Sequence, residues 1–204
     1  MMYKILITLI ALAVLWTAVS YFFERNIEEP AYEVLEVRDG YEIRTYEPYI
    51  VAQVDLPDLP YQEALGEGFT ILADYIFGNN VAQQEFAMTA PVFVAEDESE
   101  ELAMTAPVFV EPQTMSFVMP STYTLETLPL PKDDRITLFE VPERTVAVLT
   151  FSWWRTEARV REKEALLKSY LERDGESVGK IEYAGYNAPF TAPWLNRNEI
   201  LIEI

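Results

Sequence analysis

The side chains here that can do chemistry are carboxylates, phenols, thioethers and a few cationic groups: 34 Asp and Glu, 12 Tyr and 6 Met accompany 15 Lys and Arg, with neither histidine nor cysteine in the 204 residues. A Cys/His zinc site, a Ser-His-Asp or Cys-His catalytic pair and a disulfide framework are therefore excluded. A carboxylate pair for acid/base hydrolysis could be drawn from Glu42, Glu47, Glu140, Glu143 and Glu199. Thirty-four acids guarantee close pairs by number alone, so their spacing singles none out.

One pattern does stand out. Ala87-Met88-Thr89-Ala90-Pro91-Val92-Phe93-Val94 recurs without change as Ala103-Met104-Thr105-Ala106-Pro107-Val108-Phe109-Val110. Pro91 and Pro107 lack an N–H, which restricts each to a bulge, an edge or a strand start, places where a bend re-aims neighbouring side chains. Met88 and Met104 either fill the core or line an apolar ligand site, for which the polarizable thioether is suited. Between the copies, Glu96-Asp97-Glu98-Ser99-Glu100-Glu101 lacks the Asp-x-Asp-x-Asp-Gly spacing and the glycine of a calcium loop, and reads as a solvated acidic turn. No metal site is expected.

The elements that must position these residues follow from periodicity. Residues 33–38 and 41–46 flank Asp39-Gly40, a hairpin signal, and Tyr49 to Leu56 is a third strand. Tyr61, Leu65, Phe69, Leu72 and Ile76 then recur at helical spacing, predicting a helix over 61–77 that Gly78-Asn79-Asn80 stops. Strands are expected over 86–94, 102–110 and 114–119, then 135–141 and 145–151. A second helix over 155–173 carries Val160, Leu167, Tyr170 and Leu171 on one face, and strands over 181–186 and 199–204 close the chain. Trp153-Trp154 precede that helix, and strand alternation would put one indole in the core and the other exposed or at a pocket rim.

The order strand, Pro-Glu or Glu-Pro turn, strand, helix, strands occurs twice, once around Glu47-Pro48 and once around Pro142-Glu143. It predicts an α+β domain: a distorted antiparallel β-barrel of two pseudo-symmetric halves with two flanking helices and a pocket between sheet and helix.

Residues 5–23 (ILITLIALAVLWTAVSYFF) carry no charge, and at 1.5 Å per residue a helix of this length reaches about 28 Å, the thickness of a bilayer's hydrocarbon core. Residues 1–23 are read as an uncleaved transmembrane anchor, 24–31 as a linker and 32–204 as the folded domain. Lys4 before the apolar run and acids after it place the N-terminus in the cytoplasm and the domain in the periplasm or exterior. Cleavage at Ala18-Val19-Ser20 is the alternative, and would leave a secreted domain. The formal charge is −19, which disfavours nucleic acid and anionic lipid headgroups as partners.

Four motifs in order resemble the SOUL haem-binding protein family. They are Tyr32-Glu33-Val34 with Tyr41-Glu42-Ile43-Arg44; the twin Met-Thr-Ala-Pro-Val segments; Phe117-Val118-Met119-Pro120-Ser121 leading to Leu128-Pro129-Leu130-Pro131; and Tyr186-Asn187-Ala188-Pro189-Phe190-Thr191-Ala192-Pro193-Trp194-Leu195-Asn196-Arg197-Asn198-Glu199. The resemblance runs over 32–204. It implies the same two-half barrel, a fold similar to effector-binding domains of some bacterial transcription regulators, and a binding module without catalysis. Its ligand would be haem, another tetrapyrrole or a similar flat hydrophobic molecule, held non-covalently in a surface cleft beside the first helix. Carried onto this chain, the cleft involves Leu65, Phe69 and Leu72, with Met88, Met104, Tyr186, Phe190 and Trp194, and Arg197 for the ligand's carboxylates. The histidine that serves some family members as iron ligand has no counterpart, which leaves Tyr61, Tyr75, Tyr183, Tyr186, Met88 or Met104, or no protein ligand. The alternative function is a ligand-free interaction domain presenting an acidic face near the membrane.

Overall fold

The computed structural model describes residues 2–24, 27–86, 88–95, 114–188 and 191–204, with the side chains of residues 23 and 24 excepted. The second Met-Thr-Ala-Pro-Val copy with Met104, the acidic turn at 96–101, the strand expected over 102–110 and Phe190 lie outside these residues.

The elements run α1 (Met2–Glu24), β1 (Tyr32–Arg38), β2 (Tyr41–Tyr46), β3 (Tyr49–Asp55), α2 (Tyr61–Ile76), β4 (Val92–Ala95), β5 (Thr114–Val118), β6 (Thr137–Val141), β7 (Arg144–Phe151), α3 (Glu157–Asp174), β8 (Ile181–Gly185) and β9 (Asn198–Glu203). The nine strands among the described residues join one antiparallel sheet in the order β1-β2-β7-β9-β8-β4-β5-β3-β6, curled into an open half-barrel. Gly40, at φ +102°, makes the left-handed turn between β1 and β2.

The strand order carries the two-fold relationship. In the first half β3, α2, β4 and β5 give the order β3-β5-β4; in the second, β7, α3, β8 and β9 give β7-β9-β8. The halves meet where β4 pairs with β8. Each also lends a strand to the other, since β2 pairs with β7 and β6 with β3. The Glu-Pro and Pro-Glu turns are thus equivalent crossing points, and β1 is an additional edge strand.

Strand alternation gives the sheet two apolar faces. On one, Ala52, Val54, Met115, Phe117, Ala147, Leu149, Ile200 and Ile202 pack beneath the helices; on the other, Tyr46, Tyr49, Val51, Phe93, Val118, Val146, Val148, Tyr186 and Leu201 form a second cluster. Thr156 caps α3 by accepting from the Arg159 N–H, and Gly175 ends it in the left-handed conformation at φ +76°.

α2 is rotated from the face its spacing suggests. Ala64, Gly68, Ile71, Leu72, Tyr75 and Ile76 are buried, while Leu65 and Phe69 are only half-buried at its edge. Gly68 is the reason. A Cβ there would stand 2.4 Å from Leu56 Cδ2 and 3.6 Å from the Met115 side chain, so the helix lies down along its glycine and leaves the Leu65–Phe69 stripe overhanging the sheet.

The expected strand over 86–94 shrinks to Val92–Ala95, starting directly after Pro91, whose peptide bond with Ala90 is cis. The tryptophan pair also departs from expectation: Trp153 and Trp154 are 51% and 47% exposed. β7 ends at Phe151, and Trp153 sits at φ +80°, so both follow a loop rather than the in-out alternation of a strand.

Candidate functional site

α2 packs on β3 and β5, and α3 on β7 and β9. The β4–β8 seam between them becomes the floor of a groove. Two cross-strand rows make that floor: Met115, Val94 and Tyr183 are in register across β5, β4 and β8, and Phe117, Val92 and Gly185 form the next row. Leu65, Gly66, Phe69 and Gln62 of α2 wall one side, enclosing about 220 Å³ with Val92, Val94, Met115, Tyr183 and Arg155. Phe69 stands edge-on to Phe117 at 5.3 Å between ring centroids. A shallower depression of about 560 Å³ continues outward through Tyr61, Gln62, Trp154, Arg155 and Thr156.

Gly185 ends the second row with no side chain, and the Arg155 guanidinium occupies that space: a Cβ on Gly185 would lie 2.4 Å from Arg155 Nη1. The guanidinium of half-buried Arg155 stands beside the Tyr183 phenol over Gly185, and no ion pair joins it to a carboxylate among the described residues. Burial pushes the Tyr183 phenol above its ordinary pKa, outweighing the opposing pull of Arg155, and its hydroxyl donates to Asn198 Oδ1 at 2.8 Å. The groove therefore combines an apolar floor with one cation at the lip, an arrangement suited to a flat apolar molecule bearing a carboxylate.

The residues nominated from sequence distribute over several places. Leu65 and Phe69 line the groove. Leu72, fully buried, lies in the core beneath α2. Met88 is 38% exposed away from the groove, while its neighbour Thr89 is buried and donates to the Val118 carbonyl. Tyr186 follows Gly185 by one residue, so its ring emerges on the opposite face of the sheet.

There Tyr186 belongs to a polar network around fully buried Glu199. The Glu199 carboxylate accepts from the Tyr186 hydroxyl at 2.6 Å, Arg44 Nη1 at 3.1 Å, Arg197 Nε at 3.0 Å and the Thr150 hydroxyl at 3.2 Å. Burial, and then the adjoining carboxylate, push the Tyr186 phenol far above its ordinary pKa, so it remains a donor. Arg197 stacks 3.8 Å from the centre of the Tyr186 ring and also pairs with Glu29 at 2.8 Å. Its charge is committed within the fold. Trp194, 40% exposed, packs on α1.

Among the iron-ligand candidates, Tyr183 lines the groove and Tyr61 its outer end, whereas the Tyr75 hydroxyl donates to the Pro129 carbonyl at 2.8 Å. Gln62, Gly66, Val92, Val94, Met115 and Arg155 were not nominated. For all but Arg155 the signal in the sequence is the internal two-fold pattern, which makes β4 and β8, the first strand after each helix, equivalent elements of the two halves.

The domain is thus a curled two-half α+β barrel with a groove over the seam of its halves. Residues 27–203 match the profile described as SOUL heme-binding protein, and the chain belongs to this family. It is 30% identical over 161 residues to Heme-binding protein 2 of Homo sapiens, covering 78% of this chain and 75% of that protein. It is 28% identical over 180 residues to Heme-binding protein 1 of Sus scrofa, covering 86% and 92%. The crystal structure of the EcmrR C-terminal domain superposes with a TM-score of 0.56 at 11% identity, covering 84% of this chain and 96% of that one, and shares the fold.

Proposed function

We propose that this protein binds haem or a related tetrapyrrole non-covalently in the groove between α2 and α3, and that α1 anchors the domain to a membrane. The macrocycle would lie on Val92, Val94 and Met115 with Leu65 and Phe69 against its edge, and Arg155 would meet a propionate. The observation that carries this reading is Arg155, a cation without a carboxylate partner among the described residues, set beside an apolar floor in a protein of formal charge −19. It supplies the local basic spot that an anionic porphyrin requires. Membership of the family and the names of both relatives support the ligand class. The span Met2–Phe22, at a mean hydropathy of 2.3, supports the anchor.

The groove fits a macrocycle's faces and one carboxylate better than it fits its iron. Tyr183 is a protonated phenol already donating to Asn198, and Met115 offers only a thioether. Chemically, haem would bring a redox-active iron to the site when bound; the protein's residues would hold the ring, pair its carboxylate and exclude water from one face.

The test is a haemin titration of the full chain in detergent, followed at the Soret band, with wild type and Arg155→Ala, and with haemin dimethyl ester as second ligand. A charge-assisted hydrogen bond is worth roughly 1.5–3 kcal/mol, so Arg155→Ala should weaken haemin binding by about ten- to a hundredfold. The ester should bind both proteins alike. No saturable shift at micromolar haemin would refute the proposed ligand.

One observation favours a second reading, the acidic interaction face. A depression of about 780 Å³ is lined by Glu28, Glu29, Glu47, Glu126 and Glu140 and, among the described residues, by no basic one. A basic partner docked there would be lost steeply as salt rises to 0.15 M, where the Debye length is about 8 Å; capture on a polylysine support that survives that salt would argue against it.

A further inference from the structure

All four tryptophans of the chain gather where α1 meets the domain. The Trp16 and Trp194 rings lie edge-on at 5.5 Å, the Trp194 indole N–H donates to Thr17 Oγ1 at 3.3 Å, and the Ala192 N–H donates to buried Ser20 Oγ at 3.1 Å. The 193–195 turn is tied in its turn to the backbone that carries the other two indoles, because the Trp153 main-chain N–H donates to the Pro193 carbonyl at 2.9 Å. Trp154 follows directly and lines the outer end of the groove with Arg155. Trp153, Trp154 and Trp194 are each 40–51% exposed. Three large indoles left half in water beside the end of a bilayer-length helix are poorly accounted for by packing within the domain, and indoles favour the boundary between headgroups and acyl chains.

Depth along α1 makes the placement specific. Trp16 precedes Phe22, the end of the apolar span, by six residues, or about 9 Å of helix. If the span crosses the bilayer, Trp16 lies about 9 Å inside the edge of the hydrocarbon, so that Trp194, in ring contact with it, reaches from the headgroup boundary into the upper part of the acyl chains. Moving α1 outward until Trp194 cleared the lipid would leave 5–15, about 16 Å of apolar helix, far short of the roughly 30 Å required.

We infer that Trp153, Trp154 and Trp194 form a collar seating the domain on the same bilayer that α1 crosses, so that the outer end of the groove opens at the lipid surface. This rests on α1 as an anchor, and gives a lipid-soluble ligand a path from membrane to groove past Trp154 without crossing bulk water.

The test uses the full chain with Trp16→Phe, reconstituted in phosphatidylcholine vesicles, so that emission reports the three domain indoles alone. Lipid brominated near the top of its acyl chains should quench that emission by more than about a third, and lipid brominated near the chain ends by clearly less. Trp153→Phe/Trp154→Phe in the otherwise wild-type chain should lower the quenchable fraction, giving a second reading should Trp16→Phe fold poorly. Protein that floats with the vesicles after alkaline extraction but shows no shallow quenching overturns the collar and leaves the anchor standing. Protein that does not float overturns both.

Discussion

Arg155 and Gly185 are complementary in shape: the guanidinium lies where a β-carbon on Gly185 would be, 2.4 Å from Nη1. The glycine is in strand β8 without a positive φ, so its value lies in the space it leaves. Gly185→Ala should displace the end of a flexible side chain rather than backbone. We expect haemin affinity to fall by about three- to tenfold while the melting temperature moves only a few degrees, since losing one well-placed charged contact costs on the order of 1 kcal/mol or more. Titration and thermal unfolding of the same preparation check it. An unchanged haemin affinity would remove Arg155 from the site.

Gly66 offers the reverse experiment. It lines the groove from α2, and a Cβ there meets nothing within 4 Å. Gly66→Ala should stabilise the helix by up to about 1 kcal/mol with haemin binding retained. Gly66→Phe should fill the groove mouth and reduce binding at least about tenfold in a protein that remains folded, because the ring occupies space the ligand needs. Equal binding by wild type and Gly66→Phe would place the ligand elsewhere.

The absence of histidine becomes a spectroscopic prediction once the groove is defined. A phenol ligates ferric iron as phenolate, and Tyr183 is pushed towards the protonated form by burial. We expect ferric haemin and metal-free protoporphyrin to bind within about threefold of one another, with a high-spin ferric spectrum, since ring burial and Arg155 would supply the affinity. Met115→Leu, close in volume, should leave both nearly unchanged. A low-spin spectrum abolished by Met115→Leu would assign the iron to that thioether.

The fold was legible because it depends on periodicity and turn chemistry. Asp39-Gly40, the stop after Ile76 and the two Pro-Glu crossings each act locally, and the repeated order of elements pointed to the two-fold sheet. The groove was half legible: Leu65 and Phe69 stand on a readable helical stripe, but whether that stripe faces core or cleft was decided by Gly68 pressing on Leu56, a contact between distant segments. Tyr186 and Arg197 were nominated on a motif, and a one-residue offset from Gly185 sends the Tyr186 ring through the sheet to meet Glu199. Arg155 carries no local signal, because its meaning comes from pairing β4 with β8 and from an empty position one strand away.

The buried pair of Arg144 and Glu182 gives the fold a pH dependence. The two side chains, each 8% exposed, meet at 2.6 Å, with Lys180 3.1 Å from the other Glu182 oxygen. Burial pushes the Glu182 carboxyl up, but attraction to Arg144 and then Lys180 prevails and holds it below its ordinary value of 4.5. A carboxyl whose folded pKa is depressed stabilises the fold fully above the unfolded pKa, and loses that contribution as pH falls through the folded one. Stability from this pair should therefore be flat from pH 7 to about 5 and decline below 4.5. Glu182→Gln should cost about 3–5 kcal/mol at pH 7 by leaving Arg144 buried without its counter-ion, and its stability should lack that acid-side decline. Urea unfolding at pH 7 and pH 4 measures both effects. Arg144→Met/Glu182→Leu should recover most of the loss, because an apolar pair of similar volume leaves no buried charge; a double variant as unstable as Glu182→Gln would mean that these side chains hold the β7–β8 region by shape rather than by charge.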